Sequence, residues 1–167
     1  MKPYVSRVEV SRDAAVPFSE AETYAHDFLE DAERSGIEVH VPLRDFLPRV
    51  TGKVKKPVKM VFARHGDELE QGRLHDAMLV EWKAVGTRLF PHFHGTLRLR
   101  IAGVNATRLT LEGAYRPPLG GFGVGFDRLI GHRIARATMR NLLDRIAAEM
   151  ERRETAYRAR ESSGITA

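Results

Sequence analysis

The feature that most constrains the fold is an apolar stripe near the end of the chain. Apolar residues recur there at a spacing of three to four, which is typical of one face of an α-helix. The stripe consists of Met139, Leu142, Leu143, Ile146 and Met150. It predicts a helix over residues 126–156. The upper half of that helix presents apolar residues on a different side, at Phe126, Ile130, Ile134 and Ala137. We therefore expect the helix to be buried from more than one direction.

Alternation of apolar and polar residues occupies most of the chain before this helix. A period of two is typical of strands in antiparallel sheets with one buried face. It predicts strands over 4–11, 37–44, 58–62, 78–83, 90–102 and 107–115. Turns are expected at residues 65–67 and 103–105, and Pro42 indicates that the second strand either lies at a sheet edge or ends early.

A shorter helix is predicted between the first two strands. Ser19 stands at an N-cap position with Glu22 three residues later, which is the capping-box pattern, and Gly36 is expected to end the helix. Only the C-terminal helix is long enough to cover the apolar face of about six strands. We therefore predict an α+β fold in which an antiparallel sheet wraps that helix. One domain is expected over 1–156, with a polar, disordered tail over 157–167.

Composition excludes several classes of function. The chain of 167 residues contains no cysteine, which excludes thiolate catalysis, disulfides and zinc–thiolate sites. Its N-terminus lacks the apolar core of a signal peptide, and no stretch approaches the roughly 18 consecutive apolar residues that a membrane span requires. A cytoplasmic location without a membrane span is therefore expected, and the sequence leaves a homodimer open.

The positive charge of the chain raises the question of an anionic partner. The net charge is +5, yet most basic residues are arginines scattered along the sequence. The one dense run is formed by Lys53, Lys55, Lys56 and Lys59. Such lysines either blunt an exposed strand edge or bind an anion, and we favour the first interpretation. Nucleic acid is disfavoured as a partner without being eliminated.

Two histidines at alternate positions, His92 and His94, share a strand face and could in principle bind one metal ion. Phe93 and Leu97 fall in the apolar row of the same strand, so the histidines are expected to face water beside arginines. Metal sites generally require a different set of ligands. The sequence therefore predicts no metal and no cofactor.

The order of the elements and one extended motif resemble the helix-grip superfamily, often called SRPBCC. That group includes START-like lipid carriers, proteins of the birch-pollen-allergen type and polyketide cyclases. The motif reads Phe93-x-Gly95 … Thr107-x-Leu109-x-Leu111-x-Gly113-x-Tyr115-x-Pro117-Pro118 … Gly120-x-x-Gly123 … Asp127, and Val16-Pro17-Phe18 … Tyr24 is similar to the turn and first helix of the same group. The resemblance implies a curved sheet that grips the helix around an apolar cavity. It does not imply one activity.

The glycine-rich segment 119–125 precedes the long helix and has three interpretations. The resemblance implies a gate at the mouth of the cavity, and a passive turn from sheet to helix is the main alternative. A phosphate cradle is disfavoured because the context of a P-loop or dinucleotide fingerprint is missing. Asp127 is expected to stabilise the start of the helix through the helix dipole rather than to act as a base.

The alternation of side chains along the strands and the spacing along the helix select a set of candidate ligand-binding residues, which we call the predicted site. Parity places Phe62, Trp82, Phe93 and Tyr115 in the inward rows and Arg64 at the end of one, and helical spacing puts His132 on the stripe of Met139. The predicted site therefore comprises Phe62, Arg64, Trp82, Phe93, Tyr115, His132 and Met139. An ordinary filled core is the alternative interpretation. His132 is the one candidate catalytic acid or base, because an imidazole titrates near neutral pH.

Three functions remain as hypotheses. The first is binding or transport of an apolar small molecule of the lipid, polyketide or isoprenoid class. The second is an enzyme of the polyketide cyclase or dehydratase type, which would move a proton through His132, Tyr115 or Arg64. The third is an RNA- or ribosome-associated interaction protein. The sequence contains no Ser-His-Asp order and no paired-carboxylate motif, so it does not require catalysis.

Overall fold

The computed structural model of the protein describes residues 6–40, 55–70, 73–84, 92–116 and 127–164. Its elements, in chain order, are β1 (Ser6–Ala14), α1 (Phe18–Ser35), β2 (Ile37–His40), β3 (Lys55–Glu70), β4 (Arg73–Ala84), β5 (His92–Gly103), β6 (Ala106–Arg116) and α2 (Asp127–Gly164). The strands form one antiparallel sheet in the order β1-β6-β5-β4-β3-β2. The predicted α+β architecture is therefore confirmed. The strand that begins at Ile37 is an edge strand, as predicted, although Pro42 lies outside the described residues.

The core lies between the sheet and α2. On the sheet it contains Val8, Val10, Met78, Val80, Phe93, Leu97, Leu99, Leu109 and Leu111, and on α2 it contains Ala135, Met139, Leu142, Leu143, Ile146, Ala147 and Met150. Every residue of the predicted stripe is buried. Full burial of a Leu, Ile or Met side chain contributes about 1.5–3 kcal/mol, so this contact is a major source of stability. Of the apolar residues in the upper half of the predicted helix, Ala137 is half-buried and Phe126 lies outside the described residues. The side chains of Ile130 and Ile134 also lie outside the described part.

The start of α1 differs from the prediction. The helix begins at Phe18 with Pro17 at the N-cap, so the prediction of a capping box formed by Ser19 and Glu22 is wrong. The Ser19 hydroxyl bonds to the Glu20 carboxylate instead of a backbone N–H. The ring of Pro17 already holds the backbone φ angle at a value that suits the start of a helix. The Pro17 carbonyl also accepts a hydrogen bond from the Ala21 N–H at 3.0 Å. The predicted end is confirmed, since Gly36 adopts a φ of 74° that glycine tolerates without strain.

Strand β3 continues through the predicted turn at residues 65–67. The strand extends to Glu70, and its register against β4 shifts between His65 and Glu68. A β-bulge accommodates extra residues in one strand while the pairing continues, so the turn prediction at this point is wrong. The turn predicted at 103–105 is confirmed, because β5 and β6 form a hairpin there.

The lysine run lies mostly on a strand that has neighbours on both sides. Lys55 and Lys56 pair with His40 and Val39 of β2, so at these positions β3 is not the edge of the sheet. The prediction that these two lysines protect an exposed strand edge is therefore wrong, because β2 occupies the edge. Lys53 lies outside the described residues.

Helix α2 continues past its predicted end at residue 156 and reaches Gly164. Residues 157–164, which were expected to belong to a disordered tail, are helical. Side-chain bonds one turn apart support this segment: Arg158 donates to Glu154 at 2.6 Å, and the Tyr157 hydroxyl donates to Glu161 at 2.8 Å. Pairs at this spacing stabilise a helix by a few tenths of a kcal/mol each, an effect that a prediction based on apolar residues does not include.

Arg153 of α2 joins the two helices. Its guanidinium donates to Asp27 at 2.8 Å and to Asp31 at 3.3 Å in α1, and to Glu149 at 2.9 Å within α2. Hydrogen bonds from Arg152 and then from Arg153 lower the pKa of Glu149 to about 2, although its partial burial acts in the opposite direction. The ionised Glu149 carboxylate therefore holds the arginine that contacts α1.

Replacing Glu149 by glutamine tests this ionic contact. Because the folded-state pKa lies below the ordinary value of 4.5, the carboxylate stabilises the fold above pH 4.5, and the contribution is lost as the pH falls from 4.5 towards 2. We expect Glu149→Gln to lower the free energy of unfolding by about 1–2 kcal/mol at pH 7, after allowance for solvent screening. The difference from wild type should shrink with acidification in urea titrations. Glu33→Gln, at an exposed position of α1, is the control, and a difference for Glu149→Gln that is constant with pH would contradict the assignment.

Phe93 packs over a pair of glycines that face each other on β5 and β6. Gly95 and Gly113 are register partners. A Cβ atom on Gly95 would lie 2.6 Å from Cε1 of Phe93, and one on Gly113 would lie 2.6 Å from the Gly95 Cα. The Phe93 ring thus occupies the space that side chains at both positions would fill, and it is 0% exposed. This packing gives a physical reason for the Phe93-x-Gly95 … Gly113 part of the motif.

Substitution of Gly113 tests this packing. We expect Gly113→Ala to destabilise the fold by about 1–3 kcal/mol, because the added methyl group must displace backbone as well as the Phe93 ring. Gly103→Ala is the matched control, since its nearest neighbour would be the Ala106 Cβ at 3.7 Å, an ordinary contact. Thermal or chemical unfolding of both variants measures the effect. Equal stability of the two variants would show that the ring does not require the glycine.

Candidate ligand-binding site

The sheet register brings three positions of the predicted site into one row. Phe93 of β5 pairs with Trp82 of β4 on one side and with Tyr115 of β6 on the other. Phe62 pairs with Val80, and Arg64 pairs with Met78. Residues that pair directly in a sheet share a face, so the backbone agrees with the predicted parity. The side chains of Phe62, Arg64, Trp82 and Tyr115 lie outside the described part of the structure.

Two members of the predicted site have fully buried side chains. Phe93 and Met139 are each 0% exposed, the first on the glycine pair and the second in the buried face of α2. Both therefore belong to the packed interior between sheet and helix. Lining of a cavity by these residues stays a prediction.

His132 lies at the margin of the buried face of α2. It is half-buried and precedes Ala135 and Met139 by three and seven residues, a spacing that keeps all three on one side of the helix. This placement agrees with the predicted stripe. Among the described residues, Glu154 is the one buried acidic group, at 5% exposure. It lies about 33 Å further along α2 at 1.5 Å per residue, so it cannot act together with His132.

The buried polar groups of the described residues connect structural elements. The Thr107 hydroxyl donates to the carbonyl of Val16 at 2.9 Å, which fixes the turn before α1. Arg12 of β1 donates to the Asp144 carboxylate of α2 at 2.8 Å. At the far end, burial and the neighbouring Glu154 raise the pKa of Tyr24, whose hydroxyl donates to that carboxylate at 3.4 Å. These three contacts are structural, because each of them joins two elements or fixes a turn.

The opposite face of the sheet carries the predicted surface histidine. His94 is exposed, while Phe93, Leu97 and Leu99 on the other face are buried, so its predicted orientation is confirmed. The His92 side chain lies outside the described part. Within the described residues, no three His, Asp or Glu side chains are grouped as a metal ion would require.

A depression of about 360 Å³ on this outer face was not predicted from the sequence. It is lined by Arg7, His94, Gly95, Thr96, Glu112, Gly113 and Ala114. Glu112 is already bound by Arg98 at 3.1 Å and approached by Arg7 at 3.8 Å. Gly95 and Gly113 contribute only backbone to the depression, because side chains at these positions would point to the inner face that Phe93 occupies. Ala114, the small residue among its outward-facing positions, was the signal in the sequence.

Two other predicted features lie at the start of α2. The helix begins at Asp127, which places that residue in the first turn, as predicted, although its side chain lies outside the described part. The predicted gate at 119–125 lies outside the described residues. Neither helix of the described structure has an apolar stretch long enough to cross a membrane.

Comparison with known proteins gives a result at the level of the fold. No family model matches the sequence, and no curated protein matches it either. Solved structures do match. The Zhui aromatase/cyclase from a Streptomyces species has 14% identity and a TM-score of 0.52, with 90% of this chain and 96% of that chain covered. A norcoclaurine synthase point mutant from Thalictrum flavum, in complex with a transition state analogue, has 11% identity and a TM-score of 0.51, with 90% and 96% covered.

A third solved structure agrees with these two. A conserved protein from Geobacillus kaustophilus has 16% identity and a TM-score of 0.51, with 88% of this chain and 96% of that chain covered. At such identities the likeness concerns the arrangement of sheet and helices rather than the residues of a site. The three structures match nearly their whole lengths, and the antiparallel sheet with its long C-terminal helix is the shared feature. The protein therefore has the helix-grip fold.

Proposed function

We propose that the protein binds an apolar small molecule, of the lipid, polyketide or isoprenoid class, between the sheet and α2. The observation that carries this proposal is the apolar character of the inner face where the sheet meets the helix. Its five fully buried members on β5 and β6 are Phe93, Leu97, Leu99, Leu109 and Leu111. An apolar lining with few polar groups suits an apolar ligand.

The solved structures of the same fold support this class of ligand by analogy. One of them is an aromatase/cyclase, and another is a norcoclaurine synthase in complex with a transition state analogue. Analogy of fold alone does not carry an activity from one protein to another. The analogy therefore bears on the class of ligand and not on the reaction.

An enzyme of the cyclase or dehydratase type is the second candidate. The position of His132, half-buried on the inward side of α2, favours it, because an imidazole beside an apolar cavity can transfer a proton. A histidine that acts as base is commonly oriented by a neighbouring group, so the contacts of His132 bear directly on this candidate.

A library of lipids, polyketides and isoprenoids tests binding directly. A ligand at about 100 times its dissociation constant stabilises the folded protein by about 2.7 kcal/mol, which corresponds to a rise in Tm of about 5–10 °C for a chain of this size. Trp82→Ala should reduce that rise, because an aromatic side chain contributes a large contact area. Tyr157→Ala, at an exposed position near the end of α2, is the control. Failure of every library member to raise the Tm, with no small molecule in native mass spectra of protein from its own host, would contradict the proposal.

His132→Gln separates the carrier from the enzyme. A carrier should keep its affinity for a neutral apolar ligand, because the imidazole supplies little of the contact surface. An enzyme should keep binding while its turnover falls by roughly 10²–10⁴-fold, the usual contribution of a general acid or base. The measurements are ligand affinity by calorimetry and product formation by mass spectrometry, both with the ligand found in the thermal screen. Loss of affinity without any turnover in wild type would contradict both roles of His132.

A further inference from the structure

Helix α2 carries a row of three exposed arginines, the arginine stripe, which consists of Arg133, Arg136 and Arg140. Their spacing of three and four residues places them as neighbours on one face of the helix. At 1.5 Å per residue the row extends about 10 Å along the helix axis. The three guanidinium groups therefore form a short line of positive charge on the outside of the molecule.

Among the described residues, no acidic side chain is paired with this charge. The sequence has no Asp or Glu between Asp127 and Asp144. Within the residues that the structure describes, none of the three arginines forms an ion pair, whereas Arg152, Arg153 and Arg158 near the other end of the helix are all bonded to glutamates. The arginine stripe therefore differs from these three arginines, which are used for contacts within the protein.

The stripe lies on a helix segment whose other face is fixed. Ala135, Met139 and Leu142 in the same segment are buried against the sheet. The segment therefore cannot turn to insert its apolar face into a lipid bilayer. The large exposed hydrophobic side chains of the described residues are Ile101, Val104 and Tyr157, and none of them belongs to this part of α2. Helices that lie on membranes usually combine basic residues with an apolar face. The arginine stripe has the basic residues of such helices without an accompanying exposed apolar face.

Arginine is suited to phosphodiester groups. Its planar guanidinium donates two parallel hydrogen bonds to a phosphate, which a lysine cannot do. Single-stranded nucleic acids are usually bound with exposed aromatic side chains on which the bases stack, and the stripe has none among the described residues. Double helices expose a continuous phosphate backbone that is recognised by charge and shape.

We propose that the arginine stripe binds the phosphodiester backbone of a double-helical nucleic acid without reading its bases. The proposal does not depend on the apolar ligand, because the stripe faces away from the contact between α2 and the sheet. Three phosphate contacts give a logarithmic salt dependence of about −2.7, so affinity should fall about 40-fold between about 50 and 200 mM salt. We expect weak binding that is sensitive to salt and independent of sequence.

Fluorescence anisotropy with labelled duplexes of roughly 20 base pairs tests the proposal over this salt range. One duplex is RNA and the other is DNA of the same sequence. The test variant combines Arg133→Gln, Arg136→Gln and Arg140→Gln, since glutamine retains helix propensity. The matched control combines Arg7→Gln, Arg34→Gln and Arg160→Gln, which remove the same charge at exposed positions of other segments. Thermal unfolding of all three proteins establishes that they are folded.

The proposal holds if wild type and the control bind the duplexes and the stripe variant loses most of its affinity. The slope of log affinity against log salt concentration should then be lower in magnitude for the stripe variant than for wild type by about 2.7. Binding of both duplexes then indicates recognition of the backbone alone, and binding of RNA alone indicates its A-form geometry or 2′-hydroxyl groups. Equal losses in the two variants would overturn the proposal in favour of net charge. It is also overturned if no duplex binds at about 50 mM salt, or if phosphatidylglycerol vesicles bind the stripe while the duplexes do not.

Discussion

The burial of one face of α2 against the sheet is the contact on which the rest of the structure depends. Met139, Leu142 and Ile146 lie fully within it. The sheet alone would expose its apolar face to water, and α2 alone would expose its stripe. Because the two surfaces cover each other, the outer side of the helix is left for polar residues. The edge strand β1 and helix α1 are attached to the same helix through Arg12 and Arg153.

Periodicity in the sequence was sufficient to predict the architecture. The period of two located the strands, and the apolar spacing located α2 and its buried face. What it could not predict were features set by other interactions. The end of α2 depends on pairs such as Glu154 and Arg158, which involve no apolar residue. The bulge after His65 depends on pairing with β4, which overrides the turn preference of glycine and aspartate in that segment.

The sheet register agrees with the strand rows from which the predicted site was chosen, while the site itself stays a prediction. Parity correctly placed Trp82, Phe93 and Tyr115 in one row, because side-chain alternation follows directly from strand geometry. Whether a row borders a void depends on how neighbouring volumes fill the space, as the packing of Phe93 on its glycine pair illustrates. The arginine stripe was missed for a different reason. Its members look scattered in the linear sequence, and only the helical turn brings them together.

The pairing of β1 with β6 has a consequence for how the molecule forms. Ser6 pairs with Tyr115, so the earliest of the six strands in the chain must wait for the sixth before the sheet can be completed. The hairpins from β3 to β6 connect strands that are neighbours in the chain, so they can form early. The pairing of β1 with β6 joins residues that are far apart in the sequence, and such contacts slow folding. During synthesis its apolar residues Val8 and Val10 have no partner strand. The N-terminal segment is therefore the part of the nascent chain that we expect chaperones to engage.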